Sequence, residues 1–267
     1  MLRAVEERDL QGILTFLKED VENCIYLYTD VFMYGLDNPN MKLWMYEEDD
    51  RIVEVVMKYH DSFQLYARKD AEWDVEGTLA LIREYDVTMI NARSEMIDRL
   101  RPYMEEGYDH MYGVIIRLTA TTDFEGQEDV EIATLDDVED IAELLAEDPF
   151  YADSYTKEEL VSQFTERIET GMGRSAIIRR DGKIVAHCAS FTEADGIAVN
   201  AGVIAKKEYR GQKYGLMVEN YMNKIMNEAG FKWFTFILEE KRVQKFEELG
   251  NKVVARYGKF IKRRNGQ

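Results

Sequence analysis

Apolar residues in the first part of the chain recur at two spacings, one helical and one alternating. Between residues 7 and 19 they return every three or four positions, which predicts an amphipathic helix. The apolar and aromatic residues 21–35 predict a second helix that ends at Gly35. The predicted strands are 41–47, 51–59, 63–67, 86–91 and 111–118, and two further predicted helices are 75–84 and 92–104.

The same order of elements returns after residue 130. The polar segment 119–129 has no periodicity and predicts a linker, so we expect two domains, 1–118 and 130–267. Asp181 and Gly182 lie between two apolar runs and predict a hairpin turn. The second half is predicted to contain strands at 130–133, 175–179, 183–191, 197–205, 231–238 and 252–261, and helices from 134, at 154–170, from 216 and at 241–249.

The charge of the chain restricts its partners. Asp and Glu number 52 against 34 Lys and Arg, for a formal net charge of −18. Such a surface repels nucleic acid and anionic membranes, so neither is expected as a partner. A cationic or amine-bearing partner is favoured, although an acidic surface that serves only solubility is the simpler interpretation.

Cysteine and histidine usage predicts no metal site. Cys24 and Cys188 lie far apart inside apolar segments, as expected for buried thiols in a reducing compartment. The three histidines are scattered along the chain. Residues 1–8 lack the apolar core of a signal peptide, and no uncharged run approaches the length of a membrane span. We therefore expect a cytoplasmic protein.

One stretch carries the pattern of a phosphate-binding loop. The apolar strand 197–205 runs into a short loop with Arg210, Gly211 and Gly215, and an amphipathic helix follows. Glycines let the backbone approach an anion, and the amides at a helix N-terminus point at it with the positive end of the dipole. Lys213 adds a further positive charge. The alternative is an ordinary surface turn before a helix.

The segment 209–215 resembles the pyrophosphate-binding motif of the GNAT superfamily of acyl-CoA-dependent N-acyltransferases, Arg/Gln-x-x-Gly-x-Gly/Ala. It matches at Arg210, Gly211 and Gly215 and departs at Lys213, where the family usually has its central glycine. Segments 181–186 and 246–251 resemble a hairpin and a helix ending of the same family. The resemblance covers essentially the whole second half.

The resemblance implies an α+β fold, the GNAT fold, in which helices flank a central, mostly antiparallel sheet. The first half is expected to be a second, degenerate GNAT-like domain. Residues 89–94 are interpreted as the counterpart of the loop, and they lack its glycine pattern. The first half is therefore not expected to hold a second cofactor, and a packing or substrate-shaping role is expected instead.

The resemblance also implies an activity and a cosubstrate. An acetyl or short acyl group would pass from acetyl-CoA to an amine by direct attack in a ternary complex, without a metal. Val203, Ile204 and Ala205 are expected to pair with the pantetheine arm of coenzyme A. The pyrophosphate is expected to bind Arg210, Gly211, Gln212, Lys213, Tyr214 and Gly215.

Candidates for the general base come from the strands near this loop. Glu193 is the candidate base, and its alternative interpretation is a solvated turn carboxylate. His187 lies in the middle of a strand, where a core histidine is favoured over a base. Asn200 is a candidate for orienting a substrate, by its position alone.

The acid is the largest departure from the family. Phe246 stands where the family often has a tyrosine that protonates the leaving thiolate, and phenylalanine has no proton to give. Glu239 replaces the asparagine often found seven residues earlier. Tyr214 and Tyr257 are near in sequence, and water is a further source of the proton.

Two classes of function therefore stay open. The first is an N-acyltransferase acting on an amine, with a cationic acceptor favoured by the charge. The second is a catalytically weakened GNAT-fold protein that acts as an acyl-CoA-binding or regulatory module, which Lys213, Phe246 and Glu239 favour. The sequence is compatible with a homodimer and does not define the acceptor.

Overall fold

The structure, a computed structural model, describes residues 1–263. Contacts between Cα atoms divide the chain into two compact units that are not continuous in sequence. Unit 1 contains Met1–Ile115, Phe236–Val243 and the chain from Val253, and unit 2 contains Ile116–Thr235 and Gln244–Lys252.

The chain up to residue 117 forms four helices and six strands. The helices are α1 (Leu10–Lys18), α2 (Ile25–Tyr34), α3 (Val75–Tyr85) and α4 (Ser94–Met104). The strands are β1 (Arg3–Ala4), β2 (Met41–Glu48), β3 (Arg51–Tyr59), β4 (Ser62–Ala67), β5 (Met89–Arg93) and β6 (Tyr108–Arg117).

The rest of the described chain forms five helices and six strands. The helices are α5 (Val138–Ala146), α6 (Pro149–Ser154), α7 (Lys157–Thr170), α8 (Tyr214–Glu228) and α9 (Glu240–Glu248). The strands are β7 (Val130–Ile132), β8 (Ser175–Arg180), β9 (Lys183–Ala194), β10 (Ile197–Ala205), β11 (Lys232–Ile237) and β12 (Lys252–Lys262).

Unit 1 is built on a mostly antiparallel sheet. Its strands follow the order β1-β2-β3-β4-β5-β12, with β4 and β5 parallel and the other neighbours antiparallel. The last strand of the chain, β12, pairs with β5 from Tyr257 opposite Arg93 to Ile261 opposite Met89. A core that includes Phe63, Ile90, Ile97, Leu100 and Phe260 lies against this sheet.

Unit 2 repeats the pattern with the strands β7-β8-β9-β10-β11, of which only β10 and β11 are parallel. Helices α5 and α7 cover one face, because each presents an apolar stripe to the sheet. Ile141, Leu145 and Phe164 from these helices pack with Ile177 and Ile204 from the strands.

The segment predicted as a linker is held by asparagine side chains of unit 2. The Thr122 amide donates to Asn220 Oδ1 at 2.7 Å, and Asn220 Nδ2 donates back to the Thr122 carbonyl at 2.6 Å. Asn251 Oδ1 accepts from the amides of Thr119 and Ala120, both at 2.9 Å. These bonds replace the regular secondary structure that the polar sequence lacks.

Most of the predicted elements are present in the predicted order. Helix α6 was not predicted, because six residues are too few to show a helical period. The predicted strand at 86–91 begins later, at Met89, because Asp86 caps α3 in the left-handed conformation. The domain boundaries at 118 and 130 stay a prediction, since the compact units are defined by contacts and β12 belongs to unit 1.

One expectation about the first half is wrong. In unit 2 the parallel strands β10 and β11 are joined through α8, and in unit 1 the parallel strands β4 and β5 are joined through α3. The counterpart of the loop before α8 is therefore the segment 68–74 before α3. Residues 89–94 form β5 and the start of α4 instead.

Within residues 1–263, none of the helices combines the length and the apolar character needed to cross a membrane.

Candidate active site

The loop between β10 and α8 has the backbone of a glycine-rich loop although one glycine is a lysine. Gly211 has φ 87° and Lys213, which precedes the helix, has φ 65° and ψ 6°. Residues other than glycine avoid this left-handed region, at a cost of about 1 kcal/mol. The loop thus has at Lys213 a backbone conformation that a glycine would adopt freely, and the lysine is under strain.

The N-terminus of α8 presents unpaired amides. Its first helical hydrogen bond is donated by the Met217 amide to the Lys213 carbonyl at 3.0 Å. The amides of Tyr214, Gly215 and Leu216 therefore have no helical carbonyl behind them. Apart from its chain neighbours and the helix backbone, no atom of the described chain lies within 4 Å of a Cβ built on Gly211 or Gly215. Both glycines therefore face open space.

The side chains beside this N-terminus are mostly cationic, and the one carboxylate near Arg180, that of Asp129, is paired with it at 2.6 Å. Neither the side chain of Lys213 nor any acidic residue of the first turn caps the helix. Arg210 is exposed, and its Nε donates to the Ala205 carbonyl at 3.3 Å, which holds the side chain beside the end of β10. Arg180 Nε donates to the Tyr214 hydroxyl at 3.1 Å and fixes the first residue of the helix. The arrangement suits an anion.

The parallel pairing of β10 with β11 covers only the first half of β10. The pairing with β11 ends at Asn200 opposite Thr235. A register shift with β9 follows between Ala201 and Ile204, at Gly202 with φ 65°. This is a β-bulge, which re-aims the strand. Residues 203–205 therefore have no partner on β11 in the described pairing, and an extended ligand has a strand edge to pair with.

A buried histidine supports the bulge. His187 Nδ1 lies 2.8 Å from the Gly202 carbonyl and Nε2 lies 3.0 Å from Ser175 Oγ. Burial lowers the pKa of His187 to about 4, so the ring is neutral near pH 7, with Nδ1 donating to the carbonyl. A Cβ at Gly202 would lie 3.0 Å from the ring. His187 is the core residue that its position in mid-strand predicts.

Tyr151 is a site residue that the sequence analysis missed. It lies on α6, packs against the core of unit 2, and its hydroxyl is hydrogen-bonded to the backbone of Gly202. Burial raises the pKa of Tyr151 to about 12. No sequence signal marks it, because α6 was not predicted and its contact with the bulge is a tertiary one.

Glu193 is buried and paired. Its side chain is 3% exposed, and Arg174 donates to it twice, from Nε to Oε1 at 2.8 Å and from Nη2 to Oε2 at 2.6 Å. Ser190 Oγ also donates to Oε1. The interpretation as a solvated turn carboxylate is therefore wrong. As a base, Glu193 stays a prediction, and both of its oxygens already carry hydrogen bonds.

Asn200 is turned towards α8. Its Nδ2 donates to Glu219 Oε1 at 2.8 Å, and the Cys188 thiol donates to its Oδ1 at 3.0 Å. All three side chains are buried. Asn200 is thus part of an internal hydrogen-bond network, and these protein groups fix the orientation of its side-chain amide.

The residues considered for the acid have different surroundings. Phe246 is buried on α9 at 7% exposure, and Glu239 lies at the exposed start of that helix. Tyr257 belongs to β12 in unit 1, and the hydroxyl of Tyr214 accepts from Arg180. Among the side chains that the structure describes, no group of three His, Cys, Asp or Glu is placed to hold a metal ion.

Both cysteines are buried free thiols, as their apolar surroundings predict.

Two cavities in unit 1, of about 370 and 280 Å³, lie between α3 and α4 and share Tyr103 in their linings. Neither contains a residue of the loop before α8.

Solved structures with the same architecture cover the whole chain. The GCN5-related N-acetyltransferase of Sphaerobacter thermophilus matches 100% of this chain and 96% of its own, with a TM-score of 0.69 and 17% sequence identity. An acetyltransferase from the GNAT family of Colwellia psychrerythraea covers 98% of this chain and 100% of its own, with a TM-score of 0.62 and 14% identity. This chain has the GNAT fold.

A third GNAT structure is itself a tandem protein. It comes from the clavulanic acid biosynthesis pathway, and it covers 97% of both chains with a TM-score of 0.60 and 12% identity. The predicted fold class, a GNAT fold with a second GNAT-like half, is confirmed. The sequence matches no protein-family model and no curated protein. The likeness therefore lies in the fold and in short motifs.

Proposed function

We propose that the protein is an acyl-CoA-dependent N-acyltransferase that moves an acetyl or other short acyl group from acetyl-CoA to an amine in a ternary complex. One observation carries the proposal. It is the uncapped N-terminus of α8, with open space at Gly211 and Gly215 and with Arg210 beside it.

The loop suits a pyrophosphate better than a single carboxylate. A pyrophosphate spreads its negative charge over several oxygens, and the amides of residue 211 and of residues 214–216 offer several donors. Arg210 and Lys213 add side-chain charge. In this proposal Gly211, Tyr214 and Gly215 contribute backbone amides, and Gln212, whose own amide donates to the Tyr209 carbonyl at 3.3 Å, contributes its side chain.

The strand edge at 203–205 suits the pantetheine arm. Its amide groups pair with an extended ligand as a neighbouring strand would. In this proposal Val203, Ile204 and Ala205 hold the arm, and one of their amides polarises the thioester carbonyl. His187 and Tyr151 act as positioning residues, because both bind the backbone of Gly202 at the bulge.

Acyl transfer then requires two proton movements. A bond forms between the amine nitrogen and the carbonyl carbon, the carbon–sulfur bond breaks, the nitrogen loses a proton and the thiolate gains one. Glu193 is the proposed base, directly or through a water, and its three hydrogen bonds from Arg174 and Ser190 leave it about one further acceptor site. Coenzyme A thiolate is a good leaving group, so water suffices as the acid.

The acceptor is proposed to be an amine, with a cationic molecule favoured by the net charge of −18. A homodimer is also part of the proposal.

A catalytically weakened acyl-CoA-binding module is the second candidate. Two observations favour it. Phe246 is a buried side chain without a proton to donate, and both oxygens of Glu193 carry hydrogen bonds from Arg174 and Ser190.

The binding step is tested by calorimetric titration of the full chain with acetyl-CoA and with free CoA. We expect a dissociation constant in the micromolar range, about −8 kcal/mol. Arg210→Ala should weaken binding by roughly 10- to 100-fold, the loss of a charged hydrogen bond. Lys224→Ala removes an exposed charge of the same sign about 15 Å along α8 and should change little. Equal losses in the two variants, or no binding at millimolar CoA, would reject the loop as the site.

The chemical step is tested by thiol release from acetyl-CoA with a panel of primary amines. Turnover that depends on the amine supports the enzyme, and Glu193→Gln should then lower kcat more than it changes KM. Tight binding without thiol release across the panel supports the binding module.

A further inference from the structure

Unit 1 contains two buried carboxylates with opposite surroundings. Glu54 is fully buried, and its oxygens accept from Thr78 Oγ1 at 2.6 Å and from the Asp74 amide at 3.0 Å. Burial raises the pKa of Glu54 to about 7. The protein itself satisfies this buried carboxyl group, because both of its oxygens accept hydrogen bonds from neighbouring residues.

Asp30 on α2 has no such explanation. The residue is 8% exposed, and among the described side chains none makes a hydrogen bond or an ion pair with its carboxylate. Its oxygens are not among the fully enclosed polar atoms that lack a partner, so solvent reaches them. A carboxylate that is buried to this extent without a donor from the protein is costly, and a group from outside the chain can satisfy it. Burial raises the pKa of Asp30 to about 7 as well.

The position of Asp30 on α2 places it one helical turn from a cluster of aromatic rings. Tyr26 is one helical turn before it, and helical side chains lean towards the N-terminus, which brings the carboxylate over the turn that carries the Tyr26 ring. Tyr26 stacks on Phe236 with ring centroids 5.1 Å apart, and Phe236 meets the edge of Tyr257 at 5.1 Å. All three rings are partly exposed, and all belong to unit 1.

We propose that Asp30 and the rings of Tyr26, Phe236 and Tyr257 form a binding site for a small organic ammonium ion. The carboxylate accepts the N–H donors of the cation, and the faces of the aromatic rings attract its positive charge. The site lies wholly in unit 1 and does not depend on the proposed acyl transfer.

The composition of this site separates an organic ammonium ion from other ligands. A divalent metal prefers several oxygen ligands, and Asp30 is a single carboxylate among rings. An anion is repelled by the same carboxylate. A neutral apolar molecule would leave Asp30 unsatisfied, whereas an ammonium ion supplies both the donors and the charge.

The test is a calorimetric titration of the full chain with n-butylammonium chloride at about pH 8, beside the neutral isostere 1-butanol. We expect saturable binding of the ammonium ion only. Asp30→Asn keeps the shape and should weaken binding at least tenfold. Glu54→Gln changes a carboxylate that already has its donors and should leave binding within twofold. Equal binding by Asp30→Asn, or equal binding of butanol, would overturn the proposal.

Thermal unfolding provides a second readout. Asp30→Asn removes an unpaired buried charge, so without ligand it should unfold several degrees above the wild-type protein. n-Butylammonium should raise the unfolding midpoint of the wild type and leave that of Asp30→Asn unchanged. An Asp30→Asn midpoint below that of the wild type, both without ligand, would contradict the proposal.

If Asp30→Asn does not fold, Tyr26→Leu takes its place in the titration. We expect this variant to lose at least fivefold in affinity, and an unchanged affinity would contradict the site. No CoA is present, so failure here leaves the acetyl-CoA titration unaffected.

Discussion

Helices α3 and α8 hold the same place in the two units, each between two parallel strands, and their N-termini are treated in opposite ways. In α3 the carboxylate of Asp74 accepts from the Gly77 amide at 3.0 Å and from the Leu2 amide at 2.7 Å. A Cβ on Gly77 would lie 2.5 Å from Asp74 Oδ2, so the carboxylate fills the space over the first turn.

The N-terminus of α8 has no internal anion. Its cap residue is Lys213, Arg210 lies nearby, and the space at Gly211 and Gly215 is open. Unit 1 thus supplies its own negative charge to the helix dipole, whereas unit 2 leaves the positive end for a group from outside. This difference explains why one half of a GNAT fold with two similar halves is proposed to bind CoA and the other is not.

Placing a carboxylate at the uncapped N-terminus of α8 should make this helix resemble α3. Lys213→Asp reverses a charge beside the proposed pyrophosphate, and aspartate tolerates the left-handed backbone. We expect acetyl-CoA binding to fall by more than 100-fold, about 3 kcal/mol, in a calorimetric titration.

Lys224→Asp makes the same charge reversal on the exposed part of α8 and serves as the control. If both variants lose the same affinity, the effect is one of overall charge and the comparison between the helices fails.

Removing the carboxylate that caps α3 should destabilise unit 1. Asp74→Ala removes the acceptor of two amides, and we expect the free energy of unfolding to fall by about 1–2 kcal/mol in a denaturant titration. Asp74→Asn keeps an acceptor oxygen and should lose less. Affinity for acetyl-CoA should stay unchanged. An Asp74→Ala protein as stable as the wild type would show that the carboxylate does not cap the helix.

The two units should also respond to pH with opposite sign. Burial raises the pKa of Asp30 from 3.8 to about 7, so its contribution to stability is greatest below pH 3.8 and is lost as the pH rises through 7. His187 has a pKa lowered from 6.5 to about 4, so its contribution is present above pH 6.5 and is lost as the pH falls through 4.

Asp30→Asn isolates the first effect. Between about pH 6 and pH 8 the wild-type protein should lose about 1.4 kcal/mol of stability relative to Asp30→Asn, the equivalent of one pKa unit. Denaturant titrations at the two pH values measure this difference, and parallel pH profiles would contradict it.

Relieving the strain at the loop should give the smallest change. Lys213→Gly removes a left-handed lysine and should stabilise the protein by about 1 kcal/mol in a denaturant titration. Lys224→Gly, in the middle of α8, should destabilise it by about the same amount. A destabilised Lys213→Gly protein would mean that the lysine is not strained.

The sequence predicted the order of the elements because long periodic segments and turn residues specify helices and strands locally. It also located the loop from Arg210 to Gly215. Sequence spacing alone did not reveal the partners of buried polar groups. The contacts of Glu193 with Arg174 and of Tyr151 with Gly202 join residues far apart in sequence.

The topology limited the prediction in the same way. The pairing of β12 with β5 joins two segments that lie far apart in the sequence, and no local pattern specifies it. The counterpart of the loop before α8 was assigned to 89–94 for the same reason. Only the parallel pairing of β4 with β5 shows that it is 68–74.

The N-terminus of α8 is the proposed anion site. Titration of free CoA into isotope-labelled protein, with each backbone amide followed by NMR, tests it directly. We expect the largest shifts on Gly211 and on Lys213 through Leu216, with Gly77 and Thr78 of α3 unchanged. Shifts centred on α3, or none near Gly211 at saturating CoA, would contradict it.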